Sequence, residues 1–130
     1  MKGAPLIDPG DSKVLSLRDE TQFAGQGIVS RTLLHTATAR VVLFGFAEGQ
    51  ELTEHTSTAQ ALIQVLSGSC EFSLNGEPRT LKPGDLLYMP PNTPHAVRAM
   101  EAFSMLLTLL SPTEPKPSFR PIHSRITATR

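Results

Sequence analysis

The sequence predicts an all-β protein, built as an antiparallel sandwich or barrel. Short apolar runs recur along the chain and are separated by Gly, Pro, Asn and Asp, the residues that favour turns between strands. Residues 69–74 alternate apolar and polar side chains, and this period of two is typical of a half-buried strand. No amphipathic helix longer than a turn or two is indicated, and only residues 18–25 fit a helical turn.

Two strands are predicted in the first half of the chain. Residues 28–34 and 40–47 are mostly β-branched or aliphatic, and His35 lies in the short turn predicted between them. After the second run come several acidic residues, and we expect Glu51 and Glu54 to lie on a solvated loop.

The second half contains a predicted hairpin and further short strands. Asn75-Gly76 supplies the two residues with positive φ that a tight type I′ turn needs. The run Leu86–Met89 is predicted to be a short buried strand, stopped by two prolines. The remaining predicted strands are Ala61–Leu66, Ser69–Leu74, a return strand that includes Arg79–Leu81, Ala96–Ala99 and Phe103–Leu110.

Composition excludes several classes of partner. The chain has 130 residues, which fits one domain, and its twelve Lys and Arg balance twelve Asp and Glu, so no long-range field attracts nucleic acid. No apolar run approaches the roughly 20 residues that cross a bilayer, and the N-terminal stretch lacks the apolar core of a signal peptide. With Cys70 as the single cysteine, we expect a cytoplasmic protein with neither a membrane nor a nucleic-acid partner.

Two sets of spaced residues indicate a family. The first set is Gly49, His55, Ser57, Ala61 and Gly68. The second set is Gly84, Pro90, Asn92, His95 and Ala99. Over roughly residues 40–111 this pattern resembles the two motifs of the cupin superfamily, the RmlC-like cupins. The resemblance implies a cupin-type double-stranded β-helix, or jelly-roll barrel, over residues 28–111.

The resemblance also defines a candidate metal site. In metal-carrying cupins, two histidines and a glutamate of the first motif and one histidine of the second bind a divalent ion, commonly iron, manganese, zinc or nickel. Here only His55 and His95 match, since Ser57 is a poor ligand and Ala61 is none. Because such sites normally use at least three protein ligands, we expect no metal cofactor or a weakly bound divalent ion at the two histidines.

The same positions define a candidate pocket, which we expect to be apolar with histidines at its base. The histidines have three readings: metal ligands, general acid/base groups, or polar lining residues. We expect a small-molecule-binding cupin, and the alternative is a metal-dependent cupin oxygenase, decarboxylase or isomerase with an incomplete ligand set. Catalytic residues are not assigned. The expected pocket residues are His55, His95, Ser57, Ala61, Gln60 and Tyr88.

Arms and a partner subunit complete the prediction. Residues 1–27 are expected to be an N-terminal arm and residues 112–130 a Pro-rich, basic C-terminal arm, either docked or free. Residues 40–47 and 103–110 are apolar on both faces, whereas a barrel has one interior. Their outer faces would leave a large apolar patch, so we expect a homodimer.

Overall fold

The computed structural model describes residues 3–111. Within this range it contains one helical turn, α1 (Leu17–Glu20), and nine strands. The strands are β1 (Ile28–His35), β2 (Ala39–Phe46), β3 (Glu51–His55), β4 (Gln60–Ser67), β5 (Cys70–Leu74), β6 (Glu77–Leu81), β7 (Leu86–Met89), β8 (His95–Ala99) and β9 (Phe103–Leu110). The predicted C-terminal arm lies outside the described residues.

The strands form two antiparallel sheets that enclose one core. One sheet has the order β1-β2-β9-β4-β7 and the other the order β3-β8-β5-β6, with sequence neighbours often in opposite sheets. This arrangement confirms the predicted all-β jelly-roll class. The predicted hairpin turn is also confirmed, because Asn75 and Gly76 have φ of 52° and 83° between the paired Leu74 and Glu77.

Three local predictions were wrong. The segment with Glu51 and Glu54 is strand β3 rather than a loop, although both side chains are exposed. His35 ends β1 instead of lying in the turn. Strand β7 is not buried on both faces: Leu86 and Tyr88 are 63% and 51% exposed. The outer face of the five-stranded sheet is therefore open at β7, whereas the sequence predicted a buried strand.

One end of the barrel interior is filled, and we call it the closed end. Phe46, Cys70 and Phe103 are fully buried there, and Ala99 is 1% exposed. The rings of Phe46 and Phe103, which face each other across β2 and β9, have centroids 4.6 Å apart. Gly68 closes this end with φ of 70°, and a Cβ at that position would overlap the carbonyl oxygen of Ala102. Only glycine fits so close an approach without strain.

The N-terminal segment runs along the edge strand β1 and reaches over the outer face of β2. The backbone N–H groups of Leu6 and Ile7 donate to carbonyls of β1, and a Cβ at Gly45 would overlap the carbonyl oxygen of Gln22. Arg31 on β1 forms a 2.8 Å ion pair with Glu20 of α1. Among residues 3–111, no helix has the length and apolar character needed to cross a membrane.

Candidate functional site

The two motif histidines lie side by side at the other end of the barrel. His55 ends β3 and His95 begins β8, and the two residues are a directly opposed pair in the antiparallel ladder. Their ring centroids are 4.2 Å apart, with ring planes inclined by 58°. Residues 40 positions apart in the chain therefore meet through strand pairing alone.

A bulge in β3 turns His55 toward the interior. Leu52 pairs with Val97 and His55 pairs with His95, so Thr53 and Glu54 together stand opposite the single residue between those partners. In a regular strand Glu54 would share the face of Leu52, because side chains alternate with a period of two. The extra residue resets this alternation and places the imidazole where the carboxylate would have been.

Each imidazole is oriented by a carbonyl two residues before it in the chain. The Nδ1 atom of His55 lies 2.8 Å from the Thr53 carbonyl oxygen, and Nδ1 of His95 lies 2.8 Å from the Thr93 carbonyl oxygen. A carbonyl oxygen only accepts hydrogen bonds, so each Nδ1 carries the proton and donates it. In the neutral ring, Nε2 is then an acceptor on both histidines.

The two rings differ in burial and support. His95 is half-buried, and its ring lies nearly parallel to that of Phe72, with an interplanar angle of 7° and centroids 6.0 Å apart. His55 is exposed at the mouth. We call the end of the barrel that carries the two histidines the open end. Its two imidazoles differ, because the ring of His95 is shielded and the ring of His55 is solvated.

A cavity of about 160 Å³ lies between the sheets at the open end. Its polar side chains belong to His55, Ser57, Thr93 and His95, and the other lining side chains are apolar. The apolar lining comes from both sheets and the connecting loops: Phe44, Leu52, Ala59, Ala61, Ile63, Phe72, Met89, Pro90, Val97, Met105, Leu107 and Leu109. The histidines thus lie at one side of a hydrocarbon-lined space.

Two other predicted pocket residues also line this cavity. Ala61 is 3% exposed on β4 and opposes Leu109 of β9. Ser57 lies in the loop before β4, where its Oγ accepts from the Ala59 N–H at 3.1 Å. The backbone N–H of Asn92 donates to the Ser57 carbonyl at 2.7 Å, which ties the two motif loops together. Asn92 has φ of 65°, a conformation that asparagine tolerates better than most residues.

Gln60 and Tyr88, which the sequence placed in the pocket, lie on the outer face instead. Gln60 is exposed beside the buried Ala61, so strand alternation directs it away from the cavity. Its Nε2 donates to the Tyr88 hydroxyl at 3.2 Å, and Tyr88 is 51% exposed. Neither residue is part of the cavity lining.

Sequence reasoning also missed part of the lining. Phe44, Leu107 and Leu109 face the cavity from the two strands that the sequence described as apolar on both faces. A run of only apolar residues does not show which side chains point into the barrel. Once one inward-facing pair is known, such as Phe46 and Phe103, every second residue along the same two strands also points inward.

The side chains at the open end do not form a complete metal site. Within residues 3–111, no group of three or more His, Cys, Asp or Glu side chains is placed to hold a metal ion. Ser57 and Ala61 occupy the motif positions of the other two ligands, and Ala61 has no donor atom. The residues present therefore do not fit the four-ligand set of metal-carrying cupins.

Comparison with known proteins adds a family and several relatives. The family model of the cupin domain matches residues 42–109. The pectin degradation protein KdgF of Dickeya dadantii (strain 3937) is 33% identical over 97 residues, covering 72% of this chain and 88% of that protein.

Solved structures resemble the whole barrel. A conserved protein of unknown function from Streptococcus pyogenes has a TM-score of 0.75 at 32% identity, covering 88% of this chain and 98% of that one. KdgF from Halomonas sp. has a TM-score of 0.61 at 24% identity, covering 86% and 97%. At that lower identity the likeness shows the fold alone.

Proposed function

The chain belongs to the cupin domain family, and from that premise we propose that it binds a small molecule in the cavity at the open end. The observation that carries this proposal is the cavity itself, an apolar space with polar groups confined to its histidine side. Ligand sites commonly combine a mostly apolar lining with a few polar groups that fix orientation.

The size of the cavity limits the ligand. Its volume of about 160 Å³ is close to that of an engineered protein cavity of about 150 Å³ that binds benzene. A single six-membered ring, or a branched aliphatic group of similar volume, therefore fits. The exposed His55 at the mouth leaves room for substituents to extend into solvent.

The relative from Dickeya supports a second candidate, a role in pectin degradation. Pectin is a polymer of sugar acids, and each buried hydroxyl of such a ligand needs a hydrogen-bond partner. Within residues 3–111 the lining offers four polar side chains. The Thr93 hydroxyl already donates to the Pro90 carbonyl, and the Ser57 Oγ already accepts from the N–H of Ala59, which leaves few groups for several buried hydroxyls. The cavity therefore favours a ligand with an apolar body over a sugar acid.

Titration with toluene and galacturonate separates the two candidates. We expect toluene to shift the amide resonances of Ile63, Phe72 and Val97 in ¹H–¹⁵N spectra, whereas galacturonate leaves them unchanged. Ala61→Leu should abolish toluene binding, because the larger side chain enters the cavity. Gln60→Leu, the neighbouring change on the outer face, should leave binding intact. Shifts with galacturonate alone would favour the pectin candidate.

We also propose that any divalent metal binds weakly at this site. Two imidazole nitrogens leave most of the coordination of an ion to water, and each missing protein ligand lowers the binding free energy. We expect less than one metal ion per chain after dialysis against chelator, measured by elemental analysis of protein purified without a His-tag. A full retained equivalent would instead favour a metal-dependent enzyme.

A second copy of this chain is our proposed partner. The expected interface on the outer face of β2 is covered within the chain, since Leu43 there is only 2% exposed. Large apolar side chains lie together instead on the outer face of β4, β7 and β9, where Tyr88 pairs with Leu62 and Leu86 is 63% exposed. Leu110 on the same sheet is 38% exposed. A contiguous exposed apolar patch is typical of an interface, and a closed two-fold dimer would cover both copies at once.

Light scattering at micromolar concentration tests this partner. We expect a dimer mass for the unaltered chain and a monomer mass near 14.1 kDa for Leu86→Lys with Tyr88→Lys. Val14→Lys is the control, because Val14 is 96% exposed on the N-terminal segment rather than on β4, β7 or β9. A monomer before any substitution would contradict the proposal.

A further inference from the structure

Both histidines line the same cavity, and the carbonyl contacts at Nδ1 leave Nε2 as the uncommitted nitrogen of each ring. The Nδ1–H groups of His55 and His95 are committed to the Thr53 and Thr93 carbonyls, so the neutral rings offer only the Nε2 lone pairs to a ligand. Among the described residues, no side-chain hydrogen bond reaches Nε2 of either ring. The Thr93 hydroxyl already donates to the Pro90 carbonyl at 2.9 Å.

From this arrangement we infer that the ligand is a compact hydrocarbon body with a single hydroxyl, such as a small phenol or alcohol. The inference rests on the proposed binding function and deepens it by naming the chemical class. The hydroxyl donates to Nε2 while the ring or branched chain fills the apolar cavity. The phenol group matches both halves of the site, since it combines an aromatic face with one O–H donor.

The same chemistry disfavours carboxylates and carbonyls. Neither group has a proton to donate, so its oxygen would lie against the acceptor nitrogens of the neutral rings, and among the described lining residues only the Ser57 hydroxyl has an uncommitted proton to offer it. Among residues 3–111, the cavity lining includes no Lys or Arg to pair with a buried anion, and burying an unpaired carboxylate is strongly unfavourable. The site therefore selects a hydroxyl over an acid of the same size.

His95 contributes more to this selection than His55. Its ring is half-buried and lies alongside Phe72, whereas His55 is exposed and competes with water. A hydrogen bond shielded from water is electrostatically stronger than a solvated one. The shielded Nε2 of His95 is thus the main acceptor for the hydroxyl.

Phenol, toluene and benzoate are the probes for the test, because they share a ring and differ in one substituent. Titrations are followed by ¹H–¹⁵N spectra at pH 8, with EDTA present to remove divalent ions. In the unaltered chain we expect phenol to bind at least as tightly as toluene, although water solvates phenol better. We expect no binding of benzoate.

Substitution then separates the hydrogen bond from the cavity. His95→Leu should lower the affinity for phenol about tenfold, which is the upper range for a neutral hydrogen bond, and should change the affinity for toluene by no more than about twofold. His55→Leu should lower the affinity for phenol less than His95→Leu does. His35→Leu is the matched control, because His35 is exposed at the end of β1 and does not line the cavity.

A second measurement does not depend on the variants folding. Long-range ¹H–¹⁵N correlation spectra of the unaltered chain distinguish the two imidazole tautomers, and we expect both His55 and His95 to carry the proton on Nδ1. Protonation of either ring on Nε2 would overturn the inference, because that ring would then donate to the ligand.

The remaining outcomes distinguish the inference from the function on which it rests. If toluene binds and His95→Leu does not lower the affinity for phenol, the hydroxyl preference is overturned, while the proposed binding of a small molecule in the cavity stands. Tighter binding of benzoate than of phenol would overturn the preference in the same way. Failure of both toluene and phenol to bind would overturn both proposals together.

Discussion

The closed end and the open end of the barrel are built from the same strands but are filled differently. Strand β9 contributes Phe103 to the closed end and Leu109 to the open end. Strand β8 contributes Ala99 and His95 in the same way. At the closed end two phenylalanine rings touch, whereas at the open end small and polar side chains leave about 160 Å³ empty.

This contrast separates stability from ligand binding within one core. Packing contacts at the closed end are complete, so removal of a side chain there leaves an unfilled cavity. At the open end the lining side chains already lack neighbours on one side, and their removal forfeits fewer contacts. Substitutions at the two ends should therefore affect different properties, which the following four predictions address.

The largest expected effect comes from the same substitution at the two ends. Phe103→Ala should lower the free energy of unfolding by about 3–5 kcal/mol, because Phe103 is fully buried against Phe46. Phe44→Ala should cost about half as much, since Phe44 is half-buried and borders the cavity. Urea denaturation of both variants measures the difference. Equal losses would break the distinction between the ends.

The second prediction converts the open end into a metal site. Ser57→His together with Ala61→Glu supplies the two ligands absent from the motif, on side chains that line the cavity. Affinity for a divalent ion should rise at least about a hundredfold. Calorimetric titration with Ni²⁺ or Mn²⁺ measures it.

A matched variant controls for added charge in the metal test. Ser57→His with Gln60→Glu adds the same groups, but the carboxylate lies on the outer face, as Gln60 does now. This variant should show little gain in affinity. A comparable gain in both variants would mean that the barrel geometry does not converge as the motif requires.

The third prediction uses the thiol at the closed end. Burial raises the pKa of Cys70 to about 11, because the thiolate loses its hydration there. In the unfolded chain the thiol ionises near its ordinary pKa of 9.0, so the unfolded state releases its proton first as pH rises. Stability should therefore be lost between about pH 9 and pH 11, by on the order of 2–3 kcal/mol.

Denaturation of the unaltered chain and of Cys70→Ala across this pH range isolates the thiol. The variant should lack this component of the pH dependence, while other titrating groups affect both proteins alike. The same burial predicts slow reaction of the native thiol with a disulfide reagent at pH 8. Parallel pH profiles for the two proteins would show that the thiol is accessible to water.

The smallest expected effect concerns a turn beside the closed end. The Lys82 backbone N–H donates to Asp85 Oδ2 at 3.0 Å and lowers the pKa of that carboxyl. The contribution to stability is present above the ordinary pKa of Asp, about 3.9, and is lost as pH falls through the lowered folded value. Asp85→Asn should lower Tm slightly at pH 7 and not at pH 2.

An exposed acid at the open end provides the reference for that turn. Glu54→Gln alters a carboxylate on the bulge of β3 and should leave Tm unchanged at both pH values. A drop equal to that of Asp85→Asn would show that the effect reflects net charge rather than the turn hydrogen bond.

Several features of this fold and site were accessible without a structure. Glycine, proline and asparagine at fixed spacing located the turns, and the paired motifs identified His55 and His95 as the groups to examine. Asn92 stands at a motif glycine and has positive φ, so the backbone pattern is retained although the residue differs. Gln60 and Tyr88 lie outside the cavity lining because each is the sequence neighbour of an inward-facing residue, Ala61 or Met89, and side chains alternate along a strand.

The sequence by itself determined where strands and turns lie, because turn geometry and the alternation of side chains are local properties of a few consecutive residues. The motif resemblance placed His55 in the pocket, but only the tertiary structure shows why it faces inward, through one extra residue in β3 relative to β8. It also decided which nitrogen of each ring stays uncommitted, because the Thr53 and Thr93 carbonyls engage Nδ1. These features depend on the register between strands that are distant in the sequence. The alternation of side chains along one strand does not show which residues of its partner strand it will pair with.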